Sequence, residues 1–206
     1  MDVVSLGEMM AMLVATEAGP MRGVELFRKH VAGSEANVAI GLSRLGHQAG
    51  WISRLGADEF GTYIRNFLRG EGVDVSQVIL DPTHPTGIAF KERRELGARR
   101  VLYYRHGSAA SYLSPADLSP DYLNNIRFFH VSGVSLAISS SCHETVVAAI
   151  ELAHRAGATV SFDPNVRLRL WDADTWRRVL RQVIGSCDIV LPGADEAELI
   201  TGESDP

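Results

Sequence analysis

Residues 32–61 read AGSEANVAIGLSRLGHQAGWISRLGADEFG, and their apolar spacing decides the fold class. Ser34 is a fitting N-cap for a helix on which Val38, Leu42 and Leu45 share one face, and Gly46 supplies its stop. Trp51–Leu55 is a short apolar run of strand length. From Glu59, EFGTYIRNFLRGEG sets Phe60, Ile64, Phe67 and Leu68 at the i, i+4, i+7, i+8 spacing of a second amphipathic helix ending near Gly70 or Gly72. The stretch is therefore helix, strand, helix.

The same alternation extends outward. Val3–Leu6 is a buried-strand run closed by Gly7. Downstream, FFHVSG (128–133), TVSFD (159–163) and DIVLP (188–192) read as strands, separated by helices in CHETVVAAIELAHRAG (142–157), ADTWRRVLRQVIG (173–185) and DEAELITG (195–202). The expected fold is α/β, a mostly parallel sheet with helices on both faces. Two extended segments, 10–31 and 86–105, stand outside this order. In the second, GIAFKERR and RRVLYYR flank a turn-like ELGA as a hairpin, and both segments are assigned to a small β-flap beside the main sheet. Neither linker nor repeat divides residues 1–206, so one domain is expected. TGESDP follows a helix with no concluding strand, so the sheet is expected to be incomplete.

Twenty Lys and Arg against 25 Asp and Glu give a net charge of −5, which argues against a nucleic-acid backbone binder. A chain 46% hydrophobic and 22% charged is globular rather than disordered, collagen-like or coiled coil. Cys142 and Cys187 make neither a disulfide framework nor, by themselves, a zinc site, and read as buried thiols. The start, MDVVSLGEMMAMLV, carries Asp2 and Glu8 and no basic leader, and no run is long enough to span a bilayer, so no membrane association and a cytoplasmic location are expected.

Ligands of open α/β sheets bind at the carboxyl ends of the strands. Those ends carry Gly7 and Glu8, Gly133 and Val134, Asp163 to Arg167, and Pro192 to Glu196. In AGSEAN, Gly33 and the free N–H groups of a helix start can donate to a polar or anionic ligand, with Asn37 one turn on. Strand alternation in RRVLYYRHG puts Tyr103 and Arg105 on one face and Tyr104 on the other, an aromatic beside a guanidinium suited to a carboxylate. FDPNVRLRLW collects Asp163, Asn165, Arg167 and Arg169, which either bind ligand or tie loops through Asp172 or Asp174. No Walker A, GxGxxG, HExxH, GxSxG or CxxC pattern occurs, and the seven histidines lack ligand spacing. Arg93, Arg94, Arg99 and Arg100, interleaved with Glu92 and Glu95, read as a solvated hairpin face. The residues alone give an α/β protein with a small-molecule cleft.

Residues 32–61 also resemble the first signature of the ribokinase-like (PfkB) carbohydrate kinases, and the resemblance continues through TGIAF (86–90), FFHVSG, FDPNVRLRLW and LPGADEAELITG (191–202). Within that family, RVLYYRHGSAASYLSP (100–115) and DPNVRLRLW are most similar to the 2-keto-3-deoxygluconate kinases. The resemblance implies transfer of the ATP γ-phosphoryl group to the 6-hydroxyl of that sugar acid. It implies substrate contacts from Gly33, Ser34, Asn37, Tyr103, Arg105, Val134 and Arg167, and a nucleotide side from Asn165, Val166, Arg167 and Glu196. Glu196 would act on magnesium (Mg) through water, and the two extended segments would form the β-lid that closes over sugar in that family and supports a homodimer or higher homo-oligomer. Three positions depart from the family: Met12 replaces a sugar-binding Asp, Ala89 a lid Tyr, and Gly193 the Asn of the magnesium motif. The GAGD segment that carries the family's catalytic base does not occur, so no catalytic residue is assigned and little kinase activity is expected of this chain alone. The alternatives are a fructokinase or other ketose kinase, and a noncatalytic sugar-acid-binding or dimerisation module.

Overall fold

The computed structural model describes residues 1–94 and 100–203. In chain order the elements are β1 (Val3–Leu6), β2 (Met10–Ala18), β3 (Phe27–Ala32), α1 (Ser34–Arg44), β4 (Ala49–Gly56), α2 (Glu59–Gly70), β5 (Val78–Asp81), β6 (Ile88–Arg93) and β7 (Val101–Tyr104). Then come α3 (Pro120–Leu123), β8 (Phe128–Ser132), α4 (Gly133–Ala137), α5 (Ser140–Arg155), β9 (Thr159–Asp163), α6 (Ala173–Ile184), β10 (Ile189–Val190) and α7 (Ala194–Thr201). Six strands form one sheet in the order β10-β9-β8-β1-β4-β5, and every neighbouring pair is parallel. The other four, β3-β2-β6-β7, form the lid. The expected lid segments thus pair with each other, joined by the parallel contact of β2 with β6.

Strand alternation divides the core. Val4, Leu6, Ile52, Phe129, Val131, Val160 and Phe162 point to the side covered by α5 and α6, where Val146, Ile150, Trp176 and Leu180 meet them. Ala49, Trp51 and Leu55 point to the other side, against Ala36, Ala39 and Ile40 of α1 and Ile64 and Leu68 of α2. Helices do cover both faces, and β1, in the interior of a parallel sheet, is buried along its whole length.

The spacing of GADEFG has a local cause. Asp58 caps α2 by accepting from Gly61 N at 2.7 Å, and it also accepts from Thr86 N and Oγ1, both at 2.8 Å. Thr86 Oγ1 accepts in turn from Gly56 N at 2.9 Å. One side chain therefore ties the β4–α2 turn to the segment leading into β6. Burial would raise the Asp58 pKa, but these donors outweigh it and hold it below the ordinary value. A Cβ at Gly61 would lie 2.0 Å from the Gly56 carbonyl oxygen, so that position excludes every side chain.

Several expectations need correction. Gly33, not Ser34, is the cap of α1, because Ser34 is the first helical residue and turns its hydroxyl to Glu35. The buried face of α1 is Glu35, Ala36, Ala39 and Ile40; Val38 and Leu42 are half-buried and Leu45 is 75% exposed. Small residues face the sheet because α1 lies close upon it. Cys142 is buried, but Cys187 only half so. The 188–192 strand shrinks to two residues, and β5, α3 and α4 are additional. Glu92 is buried rather than solvated, accepting from Met21 N at 3.1 Å and Arg94 Nε at 2.8 Å. The ELGA turn, Glu95 and Arg99 lie outside the described residues.

At the end of β5, Asp81 accepts from Thr83 N (2.8 Å), His84 N (3.1 Å) and His84 Nδ1 (2.9 Å), while Arg54 ion-pairs with both Asp81 and Asp117. The His84 ring stacks on Tyr112 at 3.6 Å. Burial opposes ionisation of Asp81, yet these donors and the His84 charge bring its pKa from 3.8 down to about 2. A depressed folded-state value means stability that is fully present above about pH 4 and lost as the pH falls toward 2, about 2 kcal/mol in all. Urea unfolding between pH 2 and 5 is expected to show this slope in the native protein and a flatter one in Asp81→Asn.

Candidate functional site

The carboxyl ends of β1, β8 and β9 meet the lid along one edge, and three groups of polar side chains stand there. The first is the lid root. Glu8, 4% exposed, forms an ion pair through Oε2 with Arg105 Nη2 and accepts from Ser108 Oγ at 2.7 Å through Oε1. Burial pushes the Glu8 carboxyl above its ordinary range, with Arg105 and Ser108 opposing. Arg105 Nε is buried and has no hydrogen-bond partner among the described residues.

The second group surrounds Glu35, 1% exposed in the first turn of α1. Its Oε1 accepts from Ser132 and Ser135 hydroxyls at 2.6 Å each, and its Oε2 from Ser34 Oγ at 2.7 Å. It lies over Gly7, where a Cβ would come within 2.3 Å of its carboxyl carbon. Three hydroxyls in place of a cation satisfy this buried acid.

The third group follows β9. Asn165, buried and at φ 43°, turns the chain back so that its N–H bonds Asp163 Oδ1 at 3.0 Å. Val166 N donates to Glu196 Oε1 at 2.6 Å, and Glu196 Oε2 accepts from Gly193 N at 2.9 Å, closing the start of α7. Burial raises the Asp163 pKa, and the Glu196 and Glu35 charges add to it.

The structure treats the sequence candidates unequally. Gly33 packs on the lid root, a Cβ there lying 2.6 Å from the Glu8 carbonyl oxygen. Ser34 spends its proton on Glu35, which leaves it only acceptor capacity for a ligand. Asn37 is exposed on α1 and Val134 half-buried in α4. Tyr103 pairs with Ala89, which is also in register with Met12, so these three share one lid face. The opposite face carries Phe27, Phe90 and Tyr104 in edge-to-face contact and Lys29 over the Tyr63 ring of α2. Arg167 is exposed, its Nη1 on the Val166 carbonyl at 2.8 Å. Arg169 reaches the lid, donating to Val101 O at 2.9 Å. Neither arginine ties loops through Asp172 or Asp174: Asp172 caps α6, and Asp174 pairs with Arg177.

Glu35, Ser108, Ser132 and Ser135 escaped the sequence reading. One signal was available for Glu35, an acid aligned with Ala36, Ala39 and Ile40 on the sheet-facing side of a helix. The edge as a whole sets two guanidinium groups, Arg105 and Arg167, among four carboxylates, Glu8, Glu35, Asp163 and Glu196. Both Glu196 oxygens already accept N–H groups, Gly193 offers no side chain, and the described residues contain no cluster of three metal-ligating groups. These residues do not by themselves make a magnesium site. Among the described residues no helix is long and apolar enough to cross a membrane.

The model of the pfkB family of carbohydrate kinases matches residues 1–206. A 2-dehydro-3-deoxygluconokinase of Bacillus subtilis is 42% identical over 208 residues, covering 100% of this chain and 64% of the relative. A probable fructokinase-7 of Arabidopsis thaliana is 35% identical, with 99% of this chain and 60% of the relative covered. Among solved structures, a PfkB protein from Polaromonas sp. JS666 superposes with a TM-score of 0.96 at 42% identity, over 100% of this chain and 70% of that one. A sugar kinase from Pyrococcus horikoshii in complex with ATP superposes with a TM-score of 0.84 at 33% identity, over 91% and 62%. The fold is ribokinase-like, and the chain spans just under two-thirds of the length of the curated relatives it matches.

Proposed function

This chain belongs to the pfkB family of carbohydrate kinases, and from that membership we propose that it forms the acceptor-binding part of an ATP-dependent kinase acting on the 6-hydroxyl of 2-keto-3-deoxygluconate. The observation that carries this reading is Arg105, a guanidinium at the lid root that pairs with Glu8 through Nη2 and whose buried Nε–H has no acceptor among the described residues. The Arg105 side chain stays 14% exposed, and its guanidinium carries more N–H donors than the Glu8 pair uses, so an oxygen of an acidic sugar would meet one of those left over. Tyr103, beside the small Ala89 and the uncharged Met12, supplies a flat wall with no carboxylate to repel such a ligand. Gly33, Ser34, Asn37 and Val134 bound the hydroxyl end, and Arg167 stands between acceptor and nucleotide. Asn165, Val166 and Glu196 shape the nucleotide side. ATP supplies the phosphoryl group when bound; what these residues do is bind, orient and exclude water. The chain is further proposed to work as a cytoplasmic homo-oligomer joined through the lid.

A ketose kinase is the second reading, favoured by the 35% identity to a probable fructokinase.

Calorimetric titration of the chain tests the proposal. 2-Keto-3-deoxygluconate is expected to bind, at least as tightly as fructose, while gluconate, which lacks the keto group, gives no heat. Arg167→Ala is expected to weaken the sugar acid about tenfold, the size of one charge-assisted contact. No heat from any of the three, with circular dichroism showing a folded chain, overturns the reading.

A further inference from the structure

Glu8 occupies the one point where every passage between the two sheets comes together. It lies between β1 and β2 itself, and the other three passages surround it: Gly33 between β3 and α1, Gly87 leading into β6, and Arg105 with Ser108 leaving β7. A Cβ on Gly87 would stand 2.7 Å from Glu8 Oε1. The carboxylate and the guanidinium thus meet where these passages converge, Glu8 at 4% exposure and the Arg105 side chain at 14%. In such surroundings a contact pair interacts far more strongly than it would in water. Arg105 keeps spare N–H donors, but the pair presents no net charge to whatever lies beside it.

We infer that Glu8 sets the charge selectivity of the acceptor site. By neutralising Arg105 it holds the site open to a neutral ketose as well as to a sugar acid, and it leaves the preference for the acid to Arg167, which donates to the Val166 carbonyl and makes no ion pair among the described residues. Glu8 acts through Arg105 and is a positioning residue. The inference rests on the acceptor-site reading given above and adds the residue that fixes how strictly the site discriminates. It also accounts for one edge carrying an arginine suited to a carboxylate in a chain similar to kinases named for an acid and for a neutral sugar.

The test uses two ligands that differ only at one end, 2-keto-3-deoxygluconate and 3-deoxyfructose, which has a hydroxymethyl in place of the carboxylate. The native chain is expected to bind both within about tenfold of each other. Glu8→Gln keeps an acceptor for Ser108 and frees the Arg105 charge, so the acid-to-neutral affinity ratio is expected to rise about tenfold, as for a newly gained charge-assisted contact. Glu8→Asp draws the carboxylate back by one methylene and is expected to shift the ratio the same way by less, which keeps the test available if the Gln variant does not fold. Arg167→Ala is expected to lower the ratio. A folded Glu8 variant with altered melting temperature but an unmoved ratio makes Glu8 purely structural and overturns the inference alone. Failure of the native chain to bind either ligand removes the acceptor-site reading and this inference together.

Discussion

Truncating Trp176 to alanine is expected to lower the unfolding free energy by about 3–5 kcal/mol, the range for emptying a buried aromatic site. Trp176 is fully buried in α6, packs edge-to-face on Trp171 with centroids 4.9 Å apart, and lies within the larger core cluster. Its indole Nε1 donates to Arg167 O at 3.1 Å, so the same side chain that fills the core also holds the loop carrying Arg167. Trp176→Phe separates the two roles. It is expected to cost much less stability, about 1 kcal/mol for the hydrogen bond plus a small cavity, while weakening sugar-acid binding because Arg167 loses its anchor. Urea unfolding and calorimetry of both variants check this. A loss under 1 kcal/mol for the alanine variant is inconsistent with the packing described.

Gly133→Ala is expected to cost about 3 kcal/mol, at the upper end for a side chain forced into filled space. The reason is contact rather than backbone conformation. A Cβ there would stand 2.1 Å from the Pro164 carbonyl oxygen and 3.1 Å from the Trp176 ring. The nearer obstacle is main chain, so trimming the ring cannot relieve it. The double variant Gly133→Ala, Trp176→Phe is therefore expected to be no more stable than Gly133→Ala alone, and unfolding curves showing rescue would contradict that geometry. Since Pro164 begins the loop holding Asn165, Val166 and Arg167, the displaced backbone should also disturb the site.

The strands most legible in the sequence are those of the parallel interior. Val3–Leu6 and Phe128–Ser132 are apolar because both faces are covered. β5 hid because Val78, Ile79 and Leu80 are only half-buried at the sheet margin, and α4 because five residues carry no helical period. The inward face of α1 was misjudged since close packing selected alanines there and left the larger Leu45 outside. The site was legible where strand ends placed single residues, as at Glu8, Arg105, Asp163 and Glu196. What those residues bond to was not. Ser108 meets Glu8 across 100 positions, and Ser132 and Ser135 meet Glu35 across 97 and 100, separations over which no local pattern acts.

The pairing of β2 with β6 also bears on the order of folding. The lid's two antiparallel ladders each draw on neighbouring sequence, but neither two-stranded ribbon is expected to persist alone in water. Their union sets Ala11 beside Ile88, with α1, β4, α2 and β5 lying between them in the chain. Closing so long a loop becomes favourable only after that intervening unit has condensed onto β1. The lid is therefore expected to close late in folding, after β1, β4 and β5 have paired, so that part of the sheet precedes the candidate site.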